Sequence, residues 1–287
     1  MIEKIFYEID EDFWCETRYT NNIVDILTSK IIDKDYSIVI TPNLRNLPKT
    51  KYKKIVILTG DELGNFGMNP YPTQDIKAIF RIFNRPNRYD DKYIFPIPPG
   101  YNWTMHSDRS KKMIRMYPEK KLSERKYDVF FAGQPLPWRQ SLVDNLNKLK
   151  DKFNIFCQIN TTFRSGIDVD NYYKMLGETK IAVAPDGTSP DSFRYVEALG
   201  SGCIVIMTSG YPMHMHNGRK DEVWYYKNSP AIFIDSWNDL NENMINNILS
   251  LDIDNLYKRN LEYYNEKLSE EAVANYILEK ISLDNSH

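Results

Sequence analysis

Short apolar runs recur along this chain, each set off from the next by a polar or helix-patterned stretch. In the first half, residues 4–9, 36–41, 54–59 and 93–97 read as strands, and 54–59 is apolar and β-branched enough to lie buried on both faces. Between the first two runs, Ile23, Val24, Ile26, Leu27, Ile31 and Ile32 repeat at helical spacing over residues 22–32. Residues 42–53 are a polar connection, 60–72 a loop rich in Gly, Asn and Pro, and 73–83 reads as a helix. Pro96, Pro98, Pro99 and Gly100 then end regular structure.

A charged stretch of weak periodicity from 111 to 126 reads as a linker, and a second series starts at Tyr127. Strands are predicted at 128–132, 153–159, 181–184, 203–207 and 231–234, and helices at 138–150, 169–178 and 195–199. Leu142, Leu146 and Leu149 give the first of these helices one apolar face. The tail from 238 to 281 is largely helical. Alternating strands and helices in two successive halves predict an α/β fold of two Rossmann-like domains facing each other across a cleft. Residues 1–120 form the first domain and 121–265 the second, while 266–287 are a terminal helix packing back on the first.

Composition removes several alternatives. A net charge of −2 offers no basic field for nucleic acid or an anionic membrane. Cys15, Cys157 and Cys203 are too few and too scattered for a disulfide framework or a zinc site, so reduced thiols in a cytoplasmic protein are expected. The opening MIEKIFYEIDEDFW is too acidic and broken for a signal peptide, and no apolar run approaches the roughly 20 residues of a membrane helix. A soluble chain without a membrane span is the expectation.

The chemistry concentrates in residues 180–207, KIAVAPDGTSPDSFRYVEALGSGCIVIM, which reads strand, loop, helix, strand. The loop and helix start fall at the carboxyl end of a strand, where parallel sheets bind ligands. Arg194 and Glu197 are three apart and share a helix face. The cation suits a diphosphate and the carboxylate suits a pair of ribose hydroxyls, whereas an ordinary surface ion pair is the bland alternative. Asp168-Val169-Asp170 spells a metal-binding DxD, but it follows Gly166 and precedes a helix, where N-capping explains it better. His214 and His216 lie in a loop, 210–218, that follows a strand end.

The ordered set Val129-Phe130-Phe131-Ala132-Gly133 with Arg139, Tyr172-Tyr173, Lys180 to Pro185, Ser192 to Ala198 and Gly202 to Ile206 resembles the nucleotide-binding domain of exostosin-type glycosyltransferases, which have the GT-B architecture. The resemblance spans residues 127–207, under a third of the chain. Gly60-Asp61-Glu62, Arg81 and Pro98-Pro99-Gly100-Tyr101 look like elements of compact members of that group, among them the xylosyltransferases with which large algal viruses build capsid glycans. Eukaryotic exostosins are longer and anchored in the Golgi, and this chain departs from them there.

The resemblance implies an inverting transfer of a sugar, xylose in the compact members, from a UDP-sugar donor to a hydroxyl of a glycan acceptor, with no metal required. Glu197 would hold the ribose and Arg194 the diphosphate, and Asp186, Gly187, Thr188 and Ser192 would line the loop. Arg139, and then Arg164, would add cations against the charge that develops on the departing diphosphate. The general base is sought among Glu62 and Asp61, which end a strand and open a glycine-rich loop, with Asp75 third. A dehydrogenase is disfavoured because residues 8–16 contain no GxGxxG after the first strand. A non-catalytic nucleotide- or carbohydrate-binding α/β protein stays open as the alternative.

Overall fold

A computed structural model describes residues 2–7, 17–31, 35–44, 47–60, 75–82, 93–101, 120–160, 166–187, 191–209 and 223–283. The chain divides into two compact units, and among the described residues each is built on its own five-stranded sheet with all pairings parallel. Among the described residues no helix is long and apolar enough to cross a membrane.

In the first unit the strands β1 (Ile2–Phe6), β2 (Tyr36–Thr41), β3 (Lys54–Leu58), β4 (Ile76–Ile82) and β5 (Ile94–Ile97) lie in chain order across the sheet. Every residue of β2 and β3 is buried, which is why these runs are apolar throughout rather than alternating. Helix α1 (Thr17–Lys30) crosses from β1 to β2 and buries Tyr19, Ile23, Val24 and Leu27 completely. The C-terminal helix α7 (Glu270–Leu283) packs on α1 and reaches β4. The Tyr19 hydroxyl donates to the Leu268 carbonyl at 2.6 Å, and Asn22 and Tyr101 both donate to the Glu270 carboxylate, at 3.1 and 2.8 Å.

The segment 73–83, expected to be helical, is instead the strand β4. Its apolar residues, Ile76, Ala78, Ile79, Phe80 and Ile82, satisfy both periods, and pairing on both sides decides the matter. The change moves Asp75 to the amino-terminal edge of a parallel sheet. Gly60, with φ of 73°, opens from the opposite, carboxyl-terminal edge. Ligands of such sheets lie beyond the carboxyl ends, so Asp75 is poorly placed as a base.

The second unit runs β6 (Tyr127–Gly133), α2 (Gln140–Leu149), β7 (Ile155–Ile159), α3 (Val169–Gly177), β8 (Thr179–Val183), α4 (Phe193–Gly200), β9 (Ile204–Thr208), β10 (Ile232–Ile234), α5 (Glu242–Leu249) and α6 (Ile253–Tyr263). The helix expected at 138–150 begins as a 3-10 turn, Pro137–Arg139, before α2. Leu142, Leu146 and Leu149 of α2 enter one core with Val129, Phe131, Ile181, Val183, Ile204 and Ile206 of the sheet. Helix starts follow side-chain caps: Asp168 accepts from the Asn171 amide at 3.0 Å, and Asn241 from the Met244 amide at 3.0 Å.

The strand order is β10-β9-β8-β6-β7. The chain therefore leaves β6 toward one edge, at β7, and returns to build β8, β9 and β10 on the other side. That reversal opens a crevice between the carboxyl ends of β6 and β8, the switch point at which such sheets bind ligands. The described strands of the first sheet run in unbroken order and contain no such reversal.

Candidate functional site

Four of the residues singled out from the sequence gather at this switch point. Strand β6 ends at Gly133, and the 3-10 turn after it carries Arg139. Strand β8 leads through Ala184 and Pro185 to Asp186. Helix α4, which follows, carries Arg194 in its first turn and Glu197 one turn on.

Arg139 is only 3% exposed, and its guanidinium ties the two sides of the crevice together. Nε and Nη2 donate to the Asp186 carbonyl at 2.8 and 2.5 Å, and Nη1 donates to the Gln134 carbonyl at 3.3 Å. The Trp138 indole N–H reaches the same Asp186 carbonyl at 3.3 Å. The Asp186 carboxylate accepts from the Thr208 hydroxyl, at the end of β9, at 3.2 Å. Burial and, next, the neighbouring Arg194 pull Arg139 down to about 9, with Asp186 opposing. Arg139 is thus a cation at neutral pH, and the repulsion from Arg194 outweighs the attraction of Asp186.

Arg194 folds back from α4 over the end of β6. Its Nε donates to the Ala132 carbonyl at 2.8 Å, and its guanidinium carbon stands 5.8 Å from the centre of the Phe131 ring. It is half-buried, and its terminal nitrogens make no hydrogen bond among the described residues. Gly133 allows this approach: a Cβ there would lie 2.8 Å from Nη2 of Arg194. Arg194 is therefore braced at its stem, by the Ala132 carbonyl and the Phe131 ring, at the carboxyl end of β6.

Glu197 turns the other way. Its Oε2 accepts from the Tyr172 hydroxyl at 2.9 Å and its Oε1 from the Tyr173 hydroxyl at 3.0 Å, and the residue is 3% exposed. The ordinary ion pair between Arg194 and Glu197 is not formed. Burial, then the Glu197 charge, drives the Tyr172 phenol well above its usual range, with Arg194 pulling it down. Ser192 is the N-cap residue of α4, buried, with no side-chain capping bond. Gly187 follows Asp186 directly.

Asp168 is engaged as the cap of α3, and the Asn171 amide that it accepts lowers its carboxyl. Asp61, Glu62, Arg164, Thr188 and the 210–218 loop with His214 and His216 lie outside the described residues. Sequence reasoning missed the roles of Trp138, Thr208 and the two tyrosines. Only Tyr172-Tyr173 left a trace, as a pair in the helix of the family pattern, with nothing to say which group their hydroxyls meet.

No protein-family model matches the chain, and no curated protein matches it. Solved structures do. A glycosyltransferase involved in avilamycin A biosynthesis aligns with a TM-score of 0.53 at 12% identity, over 98% of this chain and 96% of that one. An α-glucosyltransferase in complex with UDP-glucose and DNA containing an abasic site aligns with a TM-score of 0.52 at 12% identity, over 94% of this chain and 84% of that one. An α1,3-fucosyltransferase with GDP-fucose aligns with a TM-score of 0.50 at 12% identity, over 100% and 91%. At such identities the likeness is one of fold. The chain has the two-sheet α/β fold of GT-B glycosyltransferases.

Proposed function

We propose that this protein is a glycosyltransferase that takes its sugar from a nucleoside diphosphate donor held at the β6–β8 switch point. The observation that carries the reading is the pair of guanidiniums there, Arg139 buried and Arg194 braced at the carboxyl end of β6. The ligands named for two fold neighbours, UDP-glucose and GDP-fucose, differ in base and in sugar. What they share is a diphosphate and a ribose, and these are the groups that Arg194 and Glu197 suit chemically. The start of α4, behind Ser192 and Gly187, adds backbone N–H groups and the positive end of the helix dipole.

Within this reading the donor is a UDP-sugar, with xylose the pentose that the exostosin resemblance favours, and the acceptor is a glycan hydroxyl. Glu62 or Asp61, directly after Gly60, takes the acceptor proton as that oxygen attacks the anomeric carbon. The bond from that carbon to the diphosphate oxygen breaks, and UDP departs with inversion. The negative charge gained by the diphosphate falls to Arg194, with Arg139 contributing its field. Turnover is accordingly expected to survive a chelator.

A thermal-shift screen against UDP, GDP and their sugars, followed by product analysis with glycan acceptors, tests the reading. A ligand at a hundred times its Kd raises stability by about 2.7 kcal/mol, well within detection. Stabilisation by a nucleotide sugar together with transfer that Glu62→Gln or Asp61→Asn abolishes, donor binding intact, supports the enzyme. Stabilisation without transfer to any acceptor favours a nucleotide-binding protein, and no stabilisation by any nucleotide or nucleotide sugar overturns the transferase reading.

A further inference from the structure

Trp138 is one of two large apolar side chains that stand exposed among the described residues, the other being Leu251. A lone exposed apolar residue needs no explanation, but this one is fixed in place, and fixed at the crevice. It occupies the middle of the 3-10 turn Pro137–Arg139, which Pro137 presets and the Arg139 amide closes onto the Leu136 carbonyl at 2.8 Å. Its indole N–H donates to the Asp186 carbonyl, just past the end of β8, at 3.3 Å. The polar edge of the ring is thus tied inward, while 37% of the residue stays open to solvent. Pro135 and Pro137 beside it are exposed as well, so the turn from β6 to α2 presents a rigid apolar ledge.

The two faces of the second sheet meet at this edge. Phe131 enters the core that α2 covers, and Phe130, one residue earlier, points the other way, against Tyr172 of α3. Trp138 leads into α2 and lies on the first side, whereas Glu197, held by Tyr172 and Tyr173, lies on the second. Arg194 links the two sides. It leaves α4 one turn before Glu197, donates to the Ala132 carbonyl at 2.8 Å, and ends 5.8 Å from the centre of the Phe131 ring. A diphosphate on Arg194 with its ribose toward Glu197 therefore has its far phosphate on the Trp138 side. What that phosphate carries is the sugar. A sugar ring has an apolar C–H face, and a fixed, exposed indole face is its counterpart. We propose that Trp138 is the platform on which the ring of the donor sugar stacks. The inference rests on the nucleoside diphosphate reading above and deepens it, because it assigns the contact to the sugar and not to the nucleotide.

Calorimetric affinities for UDP, UDP-xylose and UDP-glucose, with wild type, Trp138→Ala and Trp138→Phe, test the platform. Trp138→Ala is expected to weaken at least one sugar nucleotide by about fivefold more than it weakens UDP, the scale of one aromatic contact. Trp138→Phe keeps a ring and loses the N–H bond, and is expected to retain most of the wild-type affinity for that sugar nucleotide. A Phe variant as weak as the Ala variant would assign the effect to the tether on Asp186 and overturn the proposal. Equal losses for UDP and both sugar nucleotides would place the ring against the nucleotide, and unchanged affinities would leave it to the acceptor or to solvent. Either result overturns the proposal, as does a wild type that binds UDP but neither sugar nucleotide, and all of these leave the nucleoside diphosphate site standing. Failure of wild type to bind any of the three ligands would instead remove the UDP-donor reading itself, and the platform with it.

Discussion

The Arg139 guanidinium donates twice to a single acceptor, the carbonyl oxygen of Asp186, 47 residues away in sequence. That carbonyl sits just past the end of β8, while Arg139 sits just past the end of β6, so one side chain closes the base of the switch-point crevice. Arg139→Ala removes these bonds and leaves the Asp186 carbonyl with the longer bond from the Trp138 indole, and is expected to cost about 2–3 kcal/mol of stability. Arg139→Lys should recover part of that at best, since a compact ammonium cannot reproduce the forked geometry. Arg194→Ala, at a half-buried position, should cost about 1 kcal/mol or less. Urea unfolding of the three variants checks the order. Equal losses at the two positions would contradict the division of labour drawn here.

Gly202 turns the chain from α4 into β9 with φ of +71°, and a Cβ there would lie 2.4 Å from Cδ2 of Tyr257. Gly202→Ala therefore meets both backbone strain and a ring that cannot retreat freely, because Tyr257 also lies under the Arg125 guanidinium, its centroid 5.4 Å from Cζ. Arg125 is itself a hub, donating to the Thr179 and Ser201 carbonyls at 2.8 Å each. A loss of about 2 kcal/mol or more is expected in urea unfolding. A neutral result would mean that the turn has another conformation in solution.

Stability should fall on the alkaline side. Cys203 is wholly buried, and burial pushes its thiol from 9.0 to about 11, against the pull of Arg125. Between those values the unfolded chain releases the proton while the folded chain keeps it. This group's contribution is therefore complete below pH 9 and is lost as pH rises toward 11. Buried Tyr19 and Tyr172 are shifted in the same direction, which steepens the loss further up. Urea midpoints should be flat up to about pH 9 and decline above it, with Cys203→Ala showing a shallower decline. A midpoint that holds constant to about pH 11 would contradict the burial of these groups.

The first unit depends on its C-terminal helix. Tyr19 is completely buried beneath Gly100 and donates its hydroxyl to the Leu268 carbonyl at 2.6 Å. Tyr19→Phe keeps the ring and loses that bond, and should cost about 1 kcal/mol. Tyr19→Ala empties a core site against Gly100 and Tyr101 as well, and should cost about 3–5 kcal/mol. Hydrogen exchange across α1 and α7 would report both, and protection unchanged in the Ala variant would contradict the packing of α7 on α1.

Much of the fold was legible because parallel sheets leave a strong trace. The runs at 36–41 and 54–59 are buried on both faces, and they were readable as strands almost to the residue. The leucine face of α2 and the cap at Asp168 were equally plain, since both are local patterns. The 73–83 stretch failed for the same reason that 54–59 succeeded: a fully buried strand loses its alternation, and Ile76, Ile79, Phe80 and Ile82 then mimic a helix face. At the site, the positions of Arg194 and Glu197 on one helix were visible, but their partners were not. Arg194 reaches back 62 residues to Ala132, and Glu197 reaches back 24 and 25 residues to the tyrosines. Those contacts come from the order in which the strands pair, which no local pattern records. Shared helix position suggested one common grip, whereas the fold sends the cation to β6 and the carboxylate to α3.

Direct titration of UDP into wild type and Arg194→Ala by calorimetry is the most telling measurement, because it isolates the braced cation from the rest of the architecture. Saturable binding by wild type and a loss of about tenfold or more in the variant, with folding intact, is the predicted result. Equal affinity in the two proteins would contradict the placement of the diphosphate at the β6–β8 switch point.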